Sequence, residues 1–547
     1  MPHQDSTPEG PVELAADEAW NAVVECCRRL RPTGVLIGSG HRSRARLLGP
    51  GEALPRCLTV LVEGRPPGAR CLVLVALYGV VFLLCGRLCG RGRRRELRGV
   101  RLYTLDRRLL PRQPVRAGEA SLLLGGRDGS KRLRVVDVSP GGVRVVPGDR
   151  RPPRRPFPAV LSLGGPSLGC LMEPTHAERG SGALGLRLAV TASGDDLVDF
   201  YLRRRFPALV SRAEVAFPLV RGLFASSGYL KLRPGCGQGL ARWHRLGSPA
   251  DRARDVVYRA ADGAVLGHIS VTRAYARTWL MHQLATRRGH PESGQCREAL
   301  YGFVAALPVL VQGERAALLG YFDRSRPWHQ MTLERFTRWY EDHETAVIAS
   351  FDRFEHDRYA SRGAAPRLAG QRLEEATASD AAAAIALARA QLPTAVADAL
   401  DLYPDRLITA ALGGSGRTRS VLVLRAGRRP VAFAFCETGP RHGSLFNLFN
   451  MAQLFVGDDV APSAQRALLW AVRAFYRARE IAVPVIVAPA GRLRPDVEPG
   501  TRLAETMGCV VIRGRGIRRW ENFLRFQLGN LHAPGLRQPV LPVSHAA

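Results

Sequence analysis

The sequence predicts a multidomain chain in which two N-terminal β barrels are followed by two α/β lobes. Three observations carry that prediction. The length of 547 residues allows about three or four domains, and 46% hydrophobic content is that of a globular chain. Up to about residue 208 the apolar residues fall into strand-length runs separated by glycine and proline. Past residue 210 the texture changes to mixed helices and strands, which puts a boundary between Pro207 and Pro218. The expected domains are 1–100, 101–208, 215–360 and 365–547.

In the first segment, Thr33-Gly-Val-Leu-Ile-Gly38, Cys57-Leu-Thr-Val-Leu-Val62 and the long run Cys71 to Cys85 read as strands of a small β unit. That run has 15 consecutive apolar or glycine residues. A membrane-spanning helix needs roughly 20, and β-branched residues with a Tyr78-Gly79 turn signal near the middle favour two buried strands. The acidic N-terminus up to Glu25 carries no signal-peptide pattern.

The second segment carries the chemistry. Arginines at 107, 108, 112 and 116 precede the six residues Asp137-Val-Ser-Pro-Gly-Gly142. Guanidinium groups are flat, permanently charged forks that pair with phosphate oxygens, stack on purine faces or reach the O6/N7 edge of guanine. The Asp-x-Ser-x-x-Gly turn adds an acceptor for a purine N–H, a hydroxyl and a glycine that admits close backbone approach. The arginines alone are uninformative: of 79 basic residues only Lys131 and Lys231 are lysine, leaving 77 arginines, so Arg-x-x-x-Arg arises by chance on the order of 10 times. Asp-x-Ser-x-x-Gly is expected only about 0.1 times in such a chain. Arg132-Leu-Arg-Val-Val-Asp137, Gly142-Val-Arg-Val-Val146, Pro158 to Leu163 and Gly182 to Val190 read as strands around it, closed by a helix from Asp195 to Arg205.

On these residues, about 100 to 208 resemble a PilZ domain, the bacterial receptor module for cyclic di-GMP. The stretch Leu102-Tyr-Thr-Leu-Asp-Arg107-Arg108-Leu-Leu-Pro-Arg112 is similar to the arginine arm of flagellar-brake-type members, which also place a further small barrel upstream, as residues 1–100 would here. The resemblance implies that Arg108 and Arg112, with Arg107 beside them, grip phosphates and guanine faces. It implies that Asp137, Ser139 and Gly142 hold a guanine edge. Leu109-Leu110-Pro111 departs from that subgroup, and Arg112-Gln-Pro-Val-Arg116 offers a second register for the arm.

In residues 369 to 547 a strand leads into the alanine-rich helix Ala381 to Leu392, capped by Ser379 or Asp380. Strands at Ser420–Arg425, Pro430–Cys436 and Ser444–Val456 follow. An amphipathic helix from Ser463 to Arg479 places Leu468, Leu469, Val472, Phe475 and Tyr476 on one face and feeds Pro484-Val-Ile-Val-Ala-Pro489. This order resembles the GNAT acyltransferase fold. A weaker copy runs through Asp255–Ala260, the Asp262-Gly263 turn, Ala264–Val271, Thr278–Leu284 and a helix from about Glu292 to Leu307. The resemblance implies acyl-CoA as a ligand, bound through its pyrophosphate on backbone N–H groups at a helix N-terminus. Two carboxylates in Gly457-Asp-Asp-Val-Ala-Pro462 oppose that in the second lobe. In the first, Arg287-Arg-Gly-His-Pro-Glu-Ser-Gly294 lacks the spacing. Glu298, Tyr321 and Tyr340 are the acid/base candidates, and a noncatalytic GNAT-like scaffold is the expectation.

The formal charge of +31 invites nucleic-acid binding. The charge is spread along the chain without a helix-turn-helix, an RNP-like strand or an aromatic series, so nucleic acid is not the expected partner. Eleven scattered cysteines fit core thiols in a reduced cytoplasm, and neither they nor the 13 histidines have metal-ligand spacing. The expectation is a cytoplasmic cyclic di-GMP receptor that binds no cofactor and no metal and acts on an unidentified downstream protein. The alternatives are a cyclic di-GMP-regulated N-acyltransferase using acyl-CoA and a basic nucleic-acid-binding protein.

Overall fold

The computed structural model describes residues 12–14, 33–38, 41–50, 57–63, 70–77, 80–104, 112–124, 131–146, 155–177, 182–191, 195–228, 240–244, 253–356, 371–407, 416–440, 447–481, 484–494 and 501–532, apart from single positions inside these spans. The chain divides into two compact units. One holds residues 1–108, 330–342 and 519–547, and the other holds 109–329 and 343–518.

The first unit contains β1 (Val12–Leu14), β2 (Thr33–Gly38), β3 (His41–Pro50), β4 (Leu58–Glu63), β5 (Arg70–Leu77), β6 (Val80–Cys89) and β7 (Arg94–Thr104). Their order is β1-β7-β4-β3-β2-β5-β6, and a β6–β7 pairing closes the last six into a barrel. The long apolar run is the antiparallel β5–β6 hairpin, with Leu77 opposite Val80. Strand alternation explains this: closure gives each strand an inner apolar face, with Leu47, Leu58, Val60 and Leu97 fully buried. In residues 330–342 and 519–547 of the same unit, Trp520 Nε1 donates to the Thr332 carbonyl at 3.0 Å and Phe336 packs on Phe523.

The second unit begins with β8 (Gln113–Pro114), β9 (Ser121–Leu124), β10 (Lys131–Ser139), β11 (Gly142–Val146), β12 (Phe157–Ser162), β13 (Ser167–Ala177) and β14 (Leu184–Thr191), then helix α1 (Asp195–Arg205). Their order is β11-β14-β13-β12-β9-β10-β8, and β10–β11 pairing closes a second six-stranded barrel to which β8 adds at β10.

The remainder is one 12-stranded sheet of β15 (Leu209–Ser211), β16 (Ala253–Arg259), β17 (Val265–Arg273), β18 (Thr278–Thr286), β19 (Ala317–Asp323), β20 (Ala346–His356), β21 (Gln371–Glu375), β22 (Thr418–Ala426), β23 (Arg429–Thr438), β24 (Met451–Val456), β25 (Val485–Pro489) and β26 (Thr501–Arg513). Helices α2 (Phe217–Ser226), α3 (Ser293–Gln312), α4 (Ala381–Gln391), α5 (Thr394–Ala399) and α6 (Pro462–Ala478) accompany it, and α7 (Arg515–His532) follows β26, its residues from Arg519 on belonging to the first unit. Two similar halves share the sheet. Each has an antiparallel run (β16-β17-β18 and β22-β23-β24), then a parallel pair, β18 with β19 and β24 with β25. Each half then gives its last strand away: β26 lies on β19, β20 lies on β25, and the two meet each other in the middle. Neither half could close its apolar sheet edge alone.

Three sequence expectations need correction. The third strand of the second lobe starts at Met451 rather than Ser444, because Asn447 adopts a left-handed φ of 54° and the chain turns there; residues 441–446 lie outside the described residues. Helix α4 follows Asp380, but that carboxylate does not cap it. Asp380 Oδ2 instead accepts from the Thr377 backbone and hydroxyl in the preceding turn, and Oδ1 takes Arg425. Helix α3 runs five residues beyond Leu307, through Pro308, to Gln312. On α6, Leu468, Leu469, Val472 and Tyr476 are buried as the apolar stripe requires, and Phe475 is half-buried.

Candidate functional site

The second barrel brings the arginine arm to the Asp-x-Ser-x-x-Gly turn. Strand β8 pairs with β10 so that Pro114 lies opposite Asp137 and Gln113 opposite Val138. The register is held by Val115 N–H donating to the Val136 carbonyl at 2.9 Å. This sets Arg112 beside the turn, and its Nη1 donates to Asp137 Oδ1 at 2.9 Å. A bulge between Val135 and Asp137 shifts β10 so that Asp137 faces Arg144 of β11. Arg144 Nε lies 2.6 Å from Asp137 Oδ2, an ion-pair contact.

The carboxylate therefore has one arginine on each oxygen. Its side chain is 6% exposed, against 21% for Arg112 and 34% for Arg144. The two guanidinium groups compensate the charge of a carboxylate buried this deeply. Ser139 closes the turn by donating from Oγ to the Gly142 carbonyl at 3.1 Å. Gly142 has no alternative: a Cβ there would lie 2.0 Å from the Leu186 carbonyl oxygen of β14. Of the predicted set, Arg112, Asp137, Ser139 and Gly142 converge, while Arg107 and Arg108 lie outside the described residues. Arg116 is exposed, with its backbone N–H on Glu119 Oε2 at 2.9 Å.

Two further arginines were not singled out from sequence. Arg144 sits seven residues beyond Asp137, and only the bulge places it opposite. Arg204, in the last turn of α1, donates from Nη2 to the Pro114 carbonyl at 2.8 Å and from Nη1 to Glu119 at 3.1 Å. It ties the base of the arm to a helix whose far side reaches the sheet. Asp199 of α1 takes Arg254 of β16 at 3.4 Å, and Phe206 packs edge-on against Phe303 of α3, with 6.2 Å between ring centroids.

The first half of the sheet holds a buried polar row. Arg212 Nη2 donates to Asp255 Oδ2 at 3.0 Å, Ser270 donates to Asp255 Oδ1, and a Gln283 amide atom lies 2.8 Å from Ser270 Oγ. The serine has one proton and the carboxylate takes it, so the Gln283 NH2 must face Ser270. Gln283 has a left-handed φ of 58° at the break in β17–β18 register. His268 bonds the Gln283 carbonyl through Nδ1 at 2.9 Å, and His282 Nε2 lies 3.0 Å from Thr272 Oγ1. Burial pushes both imidazoles down to about 4, so both are neutral. The legible signal was Asp255, His268, Ser270 and His282 at alternating, inward positions of otherwise apolar strands.

Both parallel pairs separate early, β18–β19 after Met281 and β24–β25 after Gln453, although β18 runs on to Thr286 and β24 to Val456. The loops that follow do not suit a pyrophosphate. Asp458 is 81% exposed and ion-paired with Arg492 ahead of α6. Ahead of α3, Glu292 occupies the cap, its carboxylate bound by Tyr258 Oη at 2.9 Å and Ala261 N–H at 3.1 Å. The acid/base candidates are scattered: Glu298 is on α3, Tyr321 is on β19 with burial holding its phenol well above the usual range, and Tyr340 belongs to the other unit.

Among the described residues there is no cluster of three metal-ligating side chains and no helix long and apolar enough to cross a membrane. Cys57, Cys89, Cys170, Cys296, Cys436 and Cys509 are free thiols, and all of these but Cys89 are buried.

No family model matches the chain, and no curated protein matches it. Among solved structures, YcgR of Escherichia coli in complex with c-di-GMP aligns at 14% identity over 35% of this chain and 93% of its own, with a TM-score of 0.27. The K. pneumonia MrkH–c-di-GMP complex aligns at 14% identity over 34% and 91%, TM-score 0.25. A GCN5-related N-acetyltransferase from Sphaerobacter thermophilus aligns at 13% identity over 56% and 96%, TM-score 0.32. At these scores and identities none of them assigns the chain to a family.

Proposed function

We propose that the chain is a cyclic di-GMP receptor of the PilZ type, whose second barrel binds the nucleotide and passes its occupancy into the 12-stranded sheet. The observation that carries this reading is the contact between Arg112 and Asp137, which joins the two halves of the motif across 25 residues of sequence. In this reading Arg108 and Arg112, with Arg107 beside them, hold phosphates and guanine faces, and Asp137, Ser139 and Gly142 receive a guanine edge. A dianionic ligand with two guanines uses every property of that set: charge, planar stacking surfaces and a carboxylate acceptor for N1–H and N2–H. The route onward is Arg204, which holds the arm at Pro114 and Glu119, and then α1, whose Asp199 meets Arg254 of β16 and which is followed by Phe206 packed on Phe303 of α3. Isothermal titration with cyclic di-GMP tests the reading: the wild type binds, and Asp137→Ala binds at least about tenfold more weakly. Absence of heat with the wild type would sink it.

A second reading, acyl transfer to an amine, draws on the buried polar row beside the early divergence of β18 and β19. The carboxylates of Asp458 and Glu292 at the two loops do not fit an acyl-CoA pyrophosphate, so the receptor reading stands first. Thiol release from acetyl-CoA across a panel of amines, dependent on Ser270 or His282, would reverse that order.

A further inference from the structure

Asp137 is claimed twice, and the two claimants differ in how they are held. Arg144 lies in the middle of β11, hydrogen-bonded to β10 on one side and β14 on the other, where Gly185 stands opposite it and offers no side chain to cover it. Arg112 immediately precedes a two-residue strand that pairs with β10 alone among the described residues. Releasing Arg112 breaks one side-chain contact at the start of an edge strand, whereas moving Arg144 would disturb two ladders. A guanine edge brings two N–H donors that need free acceptor positions on the carboxylate. With Arg112 on Oδ1 and Arg144 on Oδ2, a guanine edge that approaches Oδ1 competes with Arg112 for that oxygen.

We propose that Arg144 is a positioning residue of the nucleotide site: it stays on Asp137 Oδ2 as a fixed counter-ion while Arg112 leaves Oδ1 and is replaced there by the guanine edge. The inference rests on the cyclic di-GMP reading above. The exchange has three consequences. The freed Arg112 guanidinium turns to the ligand's phosphate, so the contact that closes the empty site supplies a grip for the filled one. Asp137 keeps one cation beside it throughout, so its buried charge is never left without a partner. Held in one orientation, the carboxylate favours guanine, whose N1 and N2 carry protons, over adenine, whose N1 is an acceptor and meets it lone pair to lone pair. Arg144 thereby contributes to base selectivity without touching the base.

The test is calorimetric titration of the full chain with cyclic di-GMP and with cyclic di-AMP, comparing wild type, Arg144→Gln and Arg144→Lys. For Arg144→Gln, cyclic di-GMP binding is expected to weaken about tenfold while cyclic di-AMP binding changes little, so the preference between them narrows. Arg144→Lys, which restores the charge, is expected to recover most of the preference. Should Arg144→Gln fail to melt cooperatively, Arg144→Met keeps the stem and carries the same expectation. A neutral variant that binds both nucleotides with wild-type affinity overturns the role of Arg144. A wild type that binds neither overturns instead the reading on which it rests.

Discussion

Two regions of the second unit use the same parts, one carboxylate clamped by two arginines, to opposite ends. At the barrel, Asp137 takes Arg112 and Arg144, whose side chains are 21% and 34% exposed. In the sheet, Glu437 takes Arg417 and Arg419, exposed by 2% and 1%. The inner cluster is also bonded on its other sides. Arg417 Nη1 donates to the Ala274 carbonyl at 2.7 Å, Arg419 Nη2 to the Leu400 carbonyl at 2.8 Å, and Tyr275 donates to Glu437 at 3.0 Å, its phenol pushed up to about 12 by burial. It joins the β17–β18 turn of the first half to β22 and β23 of the second. A clamp closed over by the fold, its carboxylate buried beside two guanidinium groups and a phenol, cannot exchange partners without unpacking the sheet, so it pins the halves. A clamp at the surface, with one arginine on an edge strand, can open. Exposure and the surrounding ladder, not residue type, separate a structural pin from the proposed ligand site.

The sharpest way to break this comparison is Glu437→Ala. It leaves two buried guanidinium groups without a counter-charge and is expected to destabilise the second unit by about 3–5 kcal/mol, measured by urea unfolding. Equal stability in wild type and variant would make the inner clamp dispensable. The neutral histidines come next. Their folded pKa values lie below the unfolded value, so the unfolded chain takes up protons that the native one refuses, and stability falls as pH drops from about 6.5 to about 4. The loss is on the order of 3 kcal/mol per histidine at the acid end, and His268→Gln should flatten the slope of unfolding free energy against pH in that window.

The outer clamp should behave in the reverse sense. Asp137→Asn is expected to shift unfolding by no more than about 1–2 kcal/mol while lowering cyclic di-GMP affinity about tenfold or more, and a large stability loss with intact binding would place it with the inner clamp. The smallest effect on affinity is expected at Arg204. Arg204→Ala should bind cyclic di-GMP within about threefold of wild type, since it contacts the arm and not the turn motif. The ligand-dependent change in amide exchange of α3 should disappear, and its persistence would remove α1 from the route.

Much of the fold was legible because burial imposes a period. The alternation in Arg132–Asp137 and Gly142–Val146, the break at Tyr78-Gly79 and the stripe Leu468, Leu469, Val472, Phe475 and Tyr476 each follow from which face meets the core. Local chemistry likewise marked Asp137, Ser139, Gly142 and Arg112 through fixed spacing. Arg144, Arg204 and the Glu437 clamp left no such trace. Among 77 arginines no local rule distinguishes the one that a bulge sets opposite Asp137, or the two that a sheet shared between distant segments closes over Glu437. The sequence by itself determined the strands, the helices and the residue types of the motif, since those depend on neighbours along the chain. Which arginine meets which carboxylate, how deeply, and which half of the sheet receives which final strand were decided only by tertiary structure. Those contacts join positions that are distant in the chain, and their strength depends on how much water the packed fold excludes.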